Sequence, residues 1–381
     1  MTSAQELLGL DALLTDEQRD WQRKARAVAS RIAATIDDDF ETHTFRREYV
    51  ADLGAAGLLG MHIQGYGCAG AGAISYGLAC YELEAVDTAW RTFVSVQGSL
   101  AMSAIAKYGS EQQKHSWLPR MATGEIIGCF GLTEPTGGSD PASMSTTAVR
   151  DGDGWLISGR KRWIGLASVA DIAVVWARAD DGIRGFIVPT DQPGFTATDI
   201  TGKLSLRASI QCDVVLDGAR AEVLPDALGL SAPFSCLTEA RYGIVWGVMG
   251  AAAACLDAAV ERSASSEVFG SPIGAKQLVQ QRLADAYVEY EKGMLLALHL
   301  GRLKDADALV PAQVSVGKLN NVREAIAIAH AAREILGGDG VTSEFPVMRH
   351  LANLESVRTY EGTDDIHTLV IGRALTGLAA F

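Results

Sequence analysis

Paired cysteines, excess basic charge and long apolar runs are all lacking in this chain, and each absence excludes a class of protein. The six cysteines form no CxxC pair and no metal-like spacing, so we expect reduced thiols and no metal site. The net charge of −13 argues against a nucleic-acid-binding surface. The longest apolar run, residues 242–256, is shorter than the ~20 residues that span a bilayer, so it predicts a buried helix and no membrane segment.

Proline is also scarce, at 10 residues, whereas apolar residues reach 48% and charged residues 21%. These proportions are typical of a soluble globular protein with packed helices. The 381 residues are enough for two or three structural units. Residues 1–6 show neither the basic region nor the apolar stretch of a signal peptide, so we expect a cytoplasmic protein.

Hydrophobic periodicity divides the chain into three parts and predicts an α+β fold. Residues 1–128 predict an α-helical domain, with a capping box at residues 15–18, a helix from there to about Ile36 and an apolar helix at 94–107. Residues 129–230 contain short β-branched runs between turn residues, which predict a small β-barrel-like domain. Residues 231–381 predict a four-helix bundle of the segments 235–264, 275–304, 311–336 and 364–379.

The central part lacks the motifs of the common nucleotide-binding folds. No helix-length segment interrupts its strands, no GxGxxG follows a strand, and no P-loop lysine motif is present. A dinucleotide, if one binds, is therefore not held as in a doubly wound fold.

One stretch, residues 358–367, concentrates acidic side chains and one histidine between apolar helical segments. Glu361 lies beside Gly362, just before a predicted helix, and is placed to act as a base whose pKa burial can tune. The alternative is an N-terminal helix cap, with Thr363 or Asp364 as the capping residue and Asp365 suited to the helix dipole. The local pattern alone favours the cap.

Arg91 stands among apolar neighbours, and two interpretations remain open for it. It forms a surface ion pair with Glu84, seven residues earlier on the same helical side. Alternatively, it faces a pocket and binds an anion.

Several motifs at matching mutual spacing make the chain resemble the acyl-CoA dehydrogenase family, and within it most of all the glutaryl-CoA dehydrogenases. The motif Tyr360-Glu361-Gly362-Thr363 near the C-terminus and the run at residues 130–140 carry the resemblance. It extends over nearly the whole chain, through residues 65–70, 91, 95–97, 240–244, 301–305 and 371–377.

The resemblance implies an FAD-dependent oxidoreductase that desaturates an acyl thioester. Glu361 is then the base that removes the proton next to the thioester carbonyl, while a hydride leaves the adjacent carbon for the flavin. The backbone N–H of Glu361 and a flavin ribose hydroxyl are implied to stabilise the developing negative charge. With the resemblance, the base interpretation of Glu361 becomes the preferred one.

The same resemblance assigns residues to the cofactor and the substrate. The implied FAD-binding residues are Phe130, Leu132, Thr133, Gly138, Ser139, Trp163, Ile164, Phe269, Gln277, Glu334, Gly338, Thr363 and Asp365. Phe269, Gln277, Glu334 and Gly338 match positions that hold the FAD of a neighbouring subunit. The implied substrate-binding residues are Glu84, Arg91, Ser95, Arg241 and Tyr360. Arg91 matches the arginine that pairs with the distal carboxylate of a dicarboxylic acyl chain, which implies a short ω-carboxylated thioester and a decarboxylation step.

Three positions depart from the family pattern. Gly165 stands where the family has a threonine whose hydroxyl contacts flavin N5, and Ser266 stands where it has an arginine on the FAD pyrophosphate. Gly98 replaces a serine of the glutaryl type. The first two changes would weaken the contact with FAD.

Two other functions therefore remain open beside dehydrogenation. One is a flavin-weak or flavin-free relative that uses Glu361 for proton transfer, as an isomerase, cyclase or decarboxylase in a biosynthetic pathway. The other is a flavin oxygenase of the same fold, as in nitrososynthases, which would not need this base. The expected partners are an acyl-CoA or acyl-carrier-protein substrate, an electron-transferring flavoprotein, and three further copies in a homotetramer (a dimer of dimers).

Overall fold

The computed structural model describes residues 8–380, and its elements run in the predicted order of helices, strands and helices. The prediction for residues 1–6 lies outside the described residues. The first helical part contains α1 (Asp16–Ala33), α2 (Ile36–Thr42), α3 (Glu48–Ala55), α4 (Ala73–Val86), α5 (Thr88–Val94), a π-helical segment (Ser95–Met102), α6 (Ser103–Tyr108) and α7 (Glu111–Ala122). Single 3-10 turns cover Leu10–Leu13, Pro141–Ser143, Ile273–Ala275 and Asp339–Val341.

The predicted capping box begins α1. Thr15 accepts a hydrogen bond from Gln18 N at 3.2 Å, and Thr15 N donates to Gln18 Oε1 at 2.9 Å. The helix ends at Ala33 rather than near Ile36, where α2 begins. The predicted helix over residues 94–107 is likewise divided, because its first turns adopt the wider π geometry.

The middle part is a seven-stranded sheet, which fits the predicted β-barrel-like domain. Strands β4, β2, β3, β7 and β5 pair in that order, and β5 also pairs with β4, so these five strands form a closed ring. Strand β1 lies parallel to β4. The strands are β1 (Gly128–Gly131), β2 (Thr147–Asp151), β3 (Gly154–Gly165), β4 (Ile172–Ala179), β5 (Gly182–Pro189), β6 (Phe195–Asp199) and β7 (Gln211–Leu228).

The C-terminal part contains one helix that was not predicted from the sequence. Helix α11 fills the stretch between the third and fourth predicted helices, and its buried Val347, Leu351 and Leu354 are spaced as on one helical face. The elements are α8 (Ser231–Ser265), β8 (Glu267–Val268), β9 (Ser271–Pro272), α9 (Gln277–Asp305), α10 (Pro311–Leu336), α11 (Val347–Thr359) and α12 (Asp364–Thr376).

Helix α8 is the central core helix. By length and composition it could cross a membrane, but 78% of its most apolar window is buried inside the protein, which confirms the predicted buried helix. It approaches α4 closely at small residues. A Cβ atom at Gly250 would lie 2.0 Å from the Tyr81 carbonyl oxygen, and one at Gly77 would lie 2.4 Å from the Trp246 ring.

The loop after β1 is tied to β3 by a buried ion pair. Lys161 Nζ donates to Glu134 Oε1 and to Leu132 O, both at 3.0 Å. Glu134 also accepts four hydrogen bonds, from the backbone and side chains of Ser145 and Thr146. Burial alone would raise the pKa of Glu134, but these hydrogen bonds outweigh it and lower the pKa to about 2.

We expect Glu134→Ala to destabilise the fold by about 3–5 kcal/mol, because it leaves Lys161 charged and unpaired in the interior. Urea unfolding measures this loss. Glu125→Ala, which breaks an exposed pair with Arg120, is the control and should cost at most about 1 kcal/mol. Because the folded pKa of Glu134 is depressed, its contribution is present above pH 4.5 and is lost as the pH falls toward about 2. Equal losses in both variants would contradict a stabilising role for the buried pair.

Candidate active site

The loop between α11 and α12 is held in an unusual backbone conformation. Glu361 has φ +54° and Gly362 has φ +100°, so a non-glycine residue occupies the left-handed region. Thr363 then caps α12 by accepting a hydrogen bond from Ile366 N. Thr363 is therefore the predicted cap, and because the cap does not use Glu361, the base interpretation of Glu361 stays a prediction.

Three consecutive carbonyl oxygens of this loop accept hydrogen bonds from buried or half-buried cations. Lys318 Nζ donates to Tyr360 O and to Gly362 O, each at 2.6 Å. Arg241 Nε donates to Glu361 O at 2.7 Å. The carbonyl groups are thus fixed toward α8 and α10, while the Glu361 N–H meets no acceptor in the described part of the chain.

The carboxylate of Glu361 is enclosed, and its Oε2 has no hydrogen-bond partner among residues 8–380. Burial raises the pKa of Glu361, and the positive charges of Arg91, Lys318 and Arg241 partly oppose that rise. A carboxylate with a raised pKa and a buried oxygen that has no partner has the properties of a general base.

Arg91 and Glu84 form an ion pair with fully buried side chains, so the interpretation as a surface pair is wrong. Arg91 Nε lies 2.6 Å from Glu84 Oε2, and both side chains are 0% exposed. Asp87 separates α4 from α5 and caps α5 by accepting from Ala89 N, which places the two side chains on successive helices. Thr88 holds the other carboxylate oxygen, Glu84 Oε1, at 2.9 Å.

Burial shapes the ionisation of this pair. Burial raises the pKa of Glu84, and Arg91 partly offsets the rise. Burial alone would lower the pKa of Arg91, but the neighbouring Glu84 carboxylate outweighs it and holds the pKa well above its ordinary value. Arg91 therefore stays charged at every accessible pH.

Two buried hydrogen-bond donors near this pair have no partner in the described chain. Arg91 Nη2 donates to the Tyr360 hydroxyl, but Arg91 Nη1 has no acceptor in the described chain. Ser95, one helical turn later at the start of the π-helical segment, has an unpartnered buried hydroxyl. A guanidinium N–H and a hydroxyl suit the two oxygens of a carboxylate.

Helix α8 makes room for the ion pair with a glycine. A Cβ atom at Gly247 would lie 2.0 Å from Glu84 Oε2 and 3.0 Å from Arg91 Cγ. Gly243, one turn earlier, likewise faces the Tyr76 hydroxyl and Cys80 Sγ. Both glycines therefore allow α8 to pack closely against polar side chains of α4.

The predicted cofactor residues of the middle part lie on β1, on the loop after it and on β3. Arg162 N donates to Thr133 O at 2.9 Å, which joins the loop after β1 to β3. Strand β3 is irregular between Lys161 and Ile164, and Trp163 there has φ +62° and is 52% exposed. Phe130, Leu132 and Ile164 are buried, and Gly138 and Ser139 lie in an exposed loop.

The remaining predicted cofactor residues lie in the helical bundle, and no described hydrogen bond or ion pair links them to Glu361 or Trp163. Phe269, at the tip of the β8–β9 turn, is 98% exposed. Gln277 begins α9, and Glu334 on α10 pairs with Arg282 on α9 at 3.2 Å. Gly338 and Asp365 are exposed, with Gly338 just after the end of α10.

Two site residues were not predicted from the sequence. Lys318 on α10 is 1% exposed and contacts the loop that carries Glu361. His367 on α12 has its Nδ1 atom 3.0 Å from the Oγ atom of Ser315, which also lies on α10. A lone lysine in an amphipathic helix usually lies on the surface. The sequence did contain one signal: Val314 and Val322 lie four residues before and after Lys318, which places Lys318 on the apolar face of the helix.

The three parts of the chain match the family models of the acyl-CoA dehydrogenase N-terminal, middle and C-terminal domains at residues 15–125, 129–219 and 228–376. The human mitochondrial short-chain specific acyl-CoA dehydrogenase is 35% identical over 350 residues, which cover 89% of this chain and 84% of that protein.

Two solved structures superpose on the whole chain. Glutaryl-CoA dehydrogenase from Mycobacterium smegmatis is 58% identical with a TM-score of 0.98, and both chains are covered completely. A glutaryl-CoA dehydrogenase from the same organism in complex with FADH2 is 55% identical, also with a TM-score of 0.98 and complete coverage.

We expect Gly247→Ala to destabilise the protein by about 3–5 kcal/mol, because the added methyl group displaces Glu84 from Arg91. Gly372→Ala is the matched control: it also lies within a helix, and its Cβ would meet no atom within 4 Å. Higher helix propensity should make that variant more stable by up to about 1 kcal/mol. Thermal unfolding of both variants gives the comparison, and a Gly247→Ala protein as stable as the parent would contradict the close packing of α8 on the ion pair.

Proposed function

The chain belongs to the acyl-CoA dehydrogenase family, and from that premise we propose that it desaturates a short ω-carboxylated acyl thioester of the glutaryl type, with loss of CO2. The observation that carries the substrate proposal is the pair of buried, unpartnered donors, Arg91 Nη1 and Ser95 Oγ. Acyl-CoA dehydrogenation itself follows from the family.

FAD is the cofactor, and when bound it accepts the hydride that leaves the β-carbon of the substrate. The residues present fit this group. Trp163 offers a half-exposed aromatic face, and the hydroxyl groups of Thr133 and Ser139 have no partner in the described chain. A Cβ atom at Gly138 would meet nothing within 4 Å, so a pyrophosphate can approach the backbone there.

Glu361 removes the proton from the α-carbon of the thioester. Its free Oε2 receives the proton, and its unpaired backbone N–H donates to the thioester oxygen as negative charge develops there. Lys318 and Arg241 hold the carbonyl groups of the loop by hydrogen bonds, so those carbonyls are not free to turn toward the substrate.

The charge balance of the pocket favours an anionic acyl chain. We name the enclosed ionisable side chains the charge cluster; its members are Glu84, Arg91, Arg241, Lys318 and Glu361. Three are cations and two are carboxylates, so one positive charge lacks a counterpart within the cluster. The nearby Asp364 already accepts hydrogen bonds from Arg323 and Arg358. A distal substrate carboxylate on Arg91 completes the balance, whereas an uncharged tail leaves Arg91 Nη1 unsatisfied.

Decarboxylation follows from the same placement. Once the α,β-double bond has formed, the bond from the γ-carbon to the distal carboxylate breaks, and CO2 leaves. The electron pair of that bond delocalises into the enoyl thioester, and the proton held by Glu361 returns to the γ-carbon. Arg91 holds the leaving carboxylate, so one residue serves both recognition and orientation.

A second candidate function is proton transfer without a strongly held flavin. Gly165 supplies no hydroxyl, although the nearest atoms to an added Cβ there lie at 3.6 Å and 3.9 Å, so a side chain would fit. Ser266, at the end of α8, supplies no charge for a pyrophosphate. These two positions favour an isomerase, cyclase or decarboxylase that acts on an acyl-CoA or acyl-carrier-protein thioester. A flavin oxygenase is the third candidate, and the enclosed base Glu361 argues against it.

The assembly and partners are part of the proposal. The exposed Phe269, Gln277, Glu334 and Gly338 are placed to meet the FAD of a second copy, as expected of a homotetramer in the cytoplasm. An electron-transferring flavoprotein is the proposed electron acceptor.

Glutaryl-CoA should bleach the flavin absorption of the purified protein under anaerobic conditions, in step with the amount added. Glu361→Gln, which keeps the size but removes the base, should lower the rate by about 10²-fold or more. Stopped-flow absorbance measures both. Before mixing, the flavin content per chain separates the first two candidates: a stoichiometric, tightly held FAD excludes the flavin-weak alternative. Oxidised flavin that does not respond to the thioester contradicts the proposed substrate.

Removing the buried pair should change substrate preference. The double variant Glu84→Gln/Arg91→Met leaves no unpaired buried charge, and we expect kcat/KM for glutaryl-CoA to fall by about 10²-fold or more, which corresponds to about 3 kcal/mol. For butyryl-CoA, which has no distal carboxylate, we expect little change. Ser95→Ala should lower kcat/KM for glutaryl-CoA only about 2- to 10-fold, because one neutral donor is lost. Parallel losses with both thioesters would contradict the role of Arg91.

A further inference from the structure

Lys318 is fully buried and, like the half-buried Arg241, has no contact with the substrate in the proposed chemistry. Its ammonium group bridges the carbonyl oxygens of Tyr360 and Gly362, the residues on either side of Glu361. Lysine donates but cannot accept hydrogen bonds, so both bonds constrain the orientation of those carbonyls. The left-handed backbone of Glu361 lies between the two contacts.

Helix α10 holds Lys318 on a rigid support. One turn after Lys318, Asn321 donates to Val245 O on α8 at 2.8 Å and to Gly293 O on α9 at 3.0 Å. One turn before it, Ser315 contacts His367 on α12. Lys318 therefore fixes the position of the loop that carries Glu361 relative to the helices of the bundle.

Helices α5, α8 and α12 each carry charged groups near this loop. Arg241 on α8 and Arg91 on α5 add positive charge near both Glu361 and Lys318. From α12, Asp364 adds negative charge toward Lys318, and burial lowers the pKa of His367 to about 3, so that it stays neutral.

We propose that Lys318 is a positioning residue that fixes the backbone on both sides of Glu361 and, through its charge, keeps that carboxylate ionised until the substrate proton is removed. This inference rests on the proposed role of Glu361 as the base. According to this inference, the orientation and the ionisation of the base depend on a residue that does not touch the substrate.

The ionisation of the two groups supports this assignment. Burial lowers the pKa of Lys318 to about 7, while the negative charge of Glu361 opposes that decrease. In return, the positive charge of Lys318 opposes the rise that burial causes in the pKa of Glu361. Each group therefore favours the charged form of the other, and the pair titrates jointly.

Infrared-detected titration of the Glu361 carboxyl group tests the proposal without any substrate. The spectrum of the Glu361→Gln protein is subtracted at each pH, in the FAD-loaded protein. We expect Lys318→Met to raise the midpoint by about one to three pH units, because a nearby positive charge is lost. Lys318→Arg, which keeps the charge, should restore most of the wild-type midpoint. If Lys318→Met does not fold, Lys318→Gln takes its place, since it loses the charge but keeps N–H donors.

Lys161→Met is the matched control. Lys161 is also a buried lysine that contacts a carboxylate and a backbone carbonyl, but it lies in the β-sheet. The Lys161→Met variant should have a lower unfolding temperature, but the titration midpoint of its Glu361 carboxyl group should be unchanged. An unchanged midpoint in folded Lys318→Met would overturn the proposal and leave Lys318 a purely structural role.

The pH profile of kcat/KM gives a second readout. Its acidic limb should move to higher pH in Lys318→Met, because the base must be ionised to act and its pKa is higher. If wild-type protein fails to turn over glutaryl-CoA, the proposed function fails. The infrared midpoints still decide the role of Lys318 in that case.

Discussion

The structure depends on bringing five charged side chains together at one junction, where three are buried and two, Arg241 and Glu361, are half-buried. An ionised group that loses water is stable only when opposite charge or hydrogen bonds replace it. Glu84 is satisfied by Arg91 and Thr88, and the cations Arg241 and Lys318 are satisfied by backbone carbonyls. What remains unsatisfied, at Arg91 Nη1 and Glu361 Oε2, is what a substrate can satisfy.

This junction also explains why the helical parts before and after the sheet pack as one body. Helices α4 and α5 supply Glu84 and Arg91, whereas α8, α10 and the loop before α12 supply the other members of the charge cluster. Close contact between α4 and α8 is possible because glycines such as Gly247 and Gly77 line it. The Glu134–Lys161 pair connects β3 to the loop after β1, and Gly128 N at the start of β1 donates to Gln97 Oε1 in the π-helical segment, which joins the sheet to the helical part.

Much of this arrangement was predictable from the sequence, and the exceptions have physical causes. The order of the three parts, the capping box at Thr15 and the pairing of Arg91 with Glu84 follow from local spacing. The burial of that pair does not, because it requires Gly247, which is distant along the chain. The role of Lys318 was missed for the same reason: its acceptors are carbonyl groups more than 40 residues away, and carbonyls carry no sequence signature. The π-helical segment was missed because its composition is that of an ordinary apolar helix.

The left-handed backbone at residue 361 has an evolutionary consequence. A side chain in that conformation costs about 1–2 kcal/mol that glycine avoids. An enclosed carboxylate adds a further desolvation cost. If Glu361 is the base, as proposed, both costs favour its replacement by glycine once selection for catalysis is relaxed, and the fold gains stability as the activity is lost. Duplicated copies of such a chain can therefore drift toward stable proteins without this carboxylate.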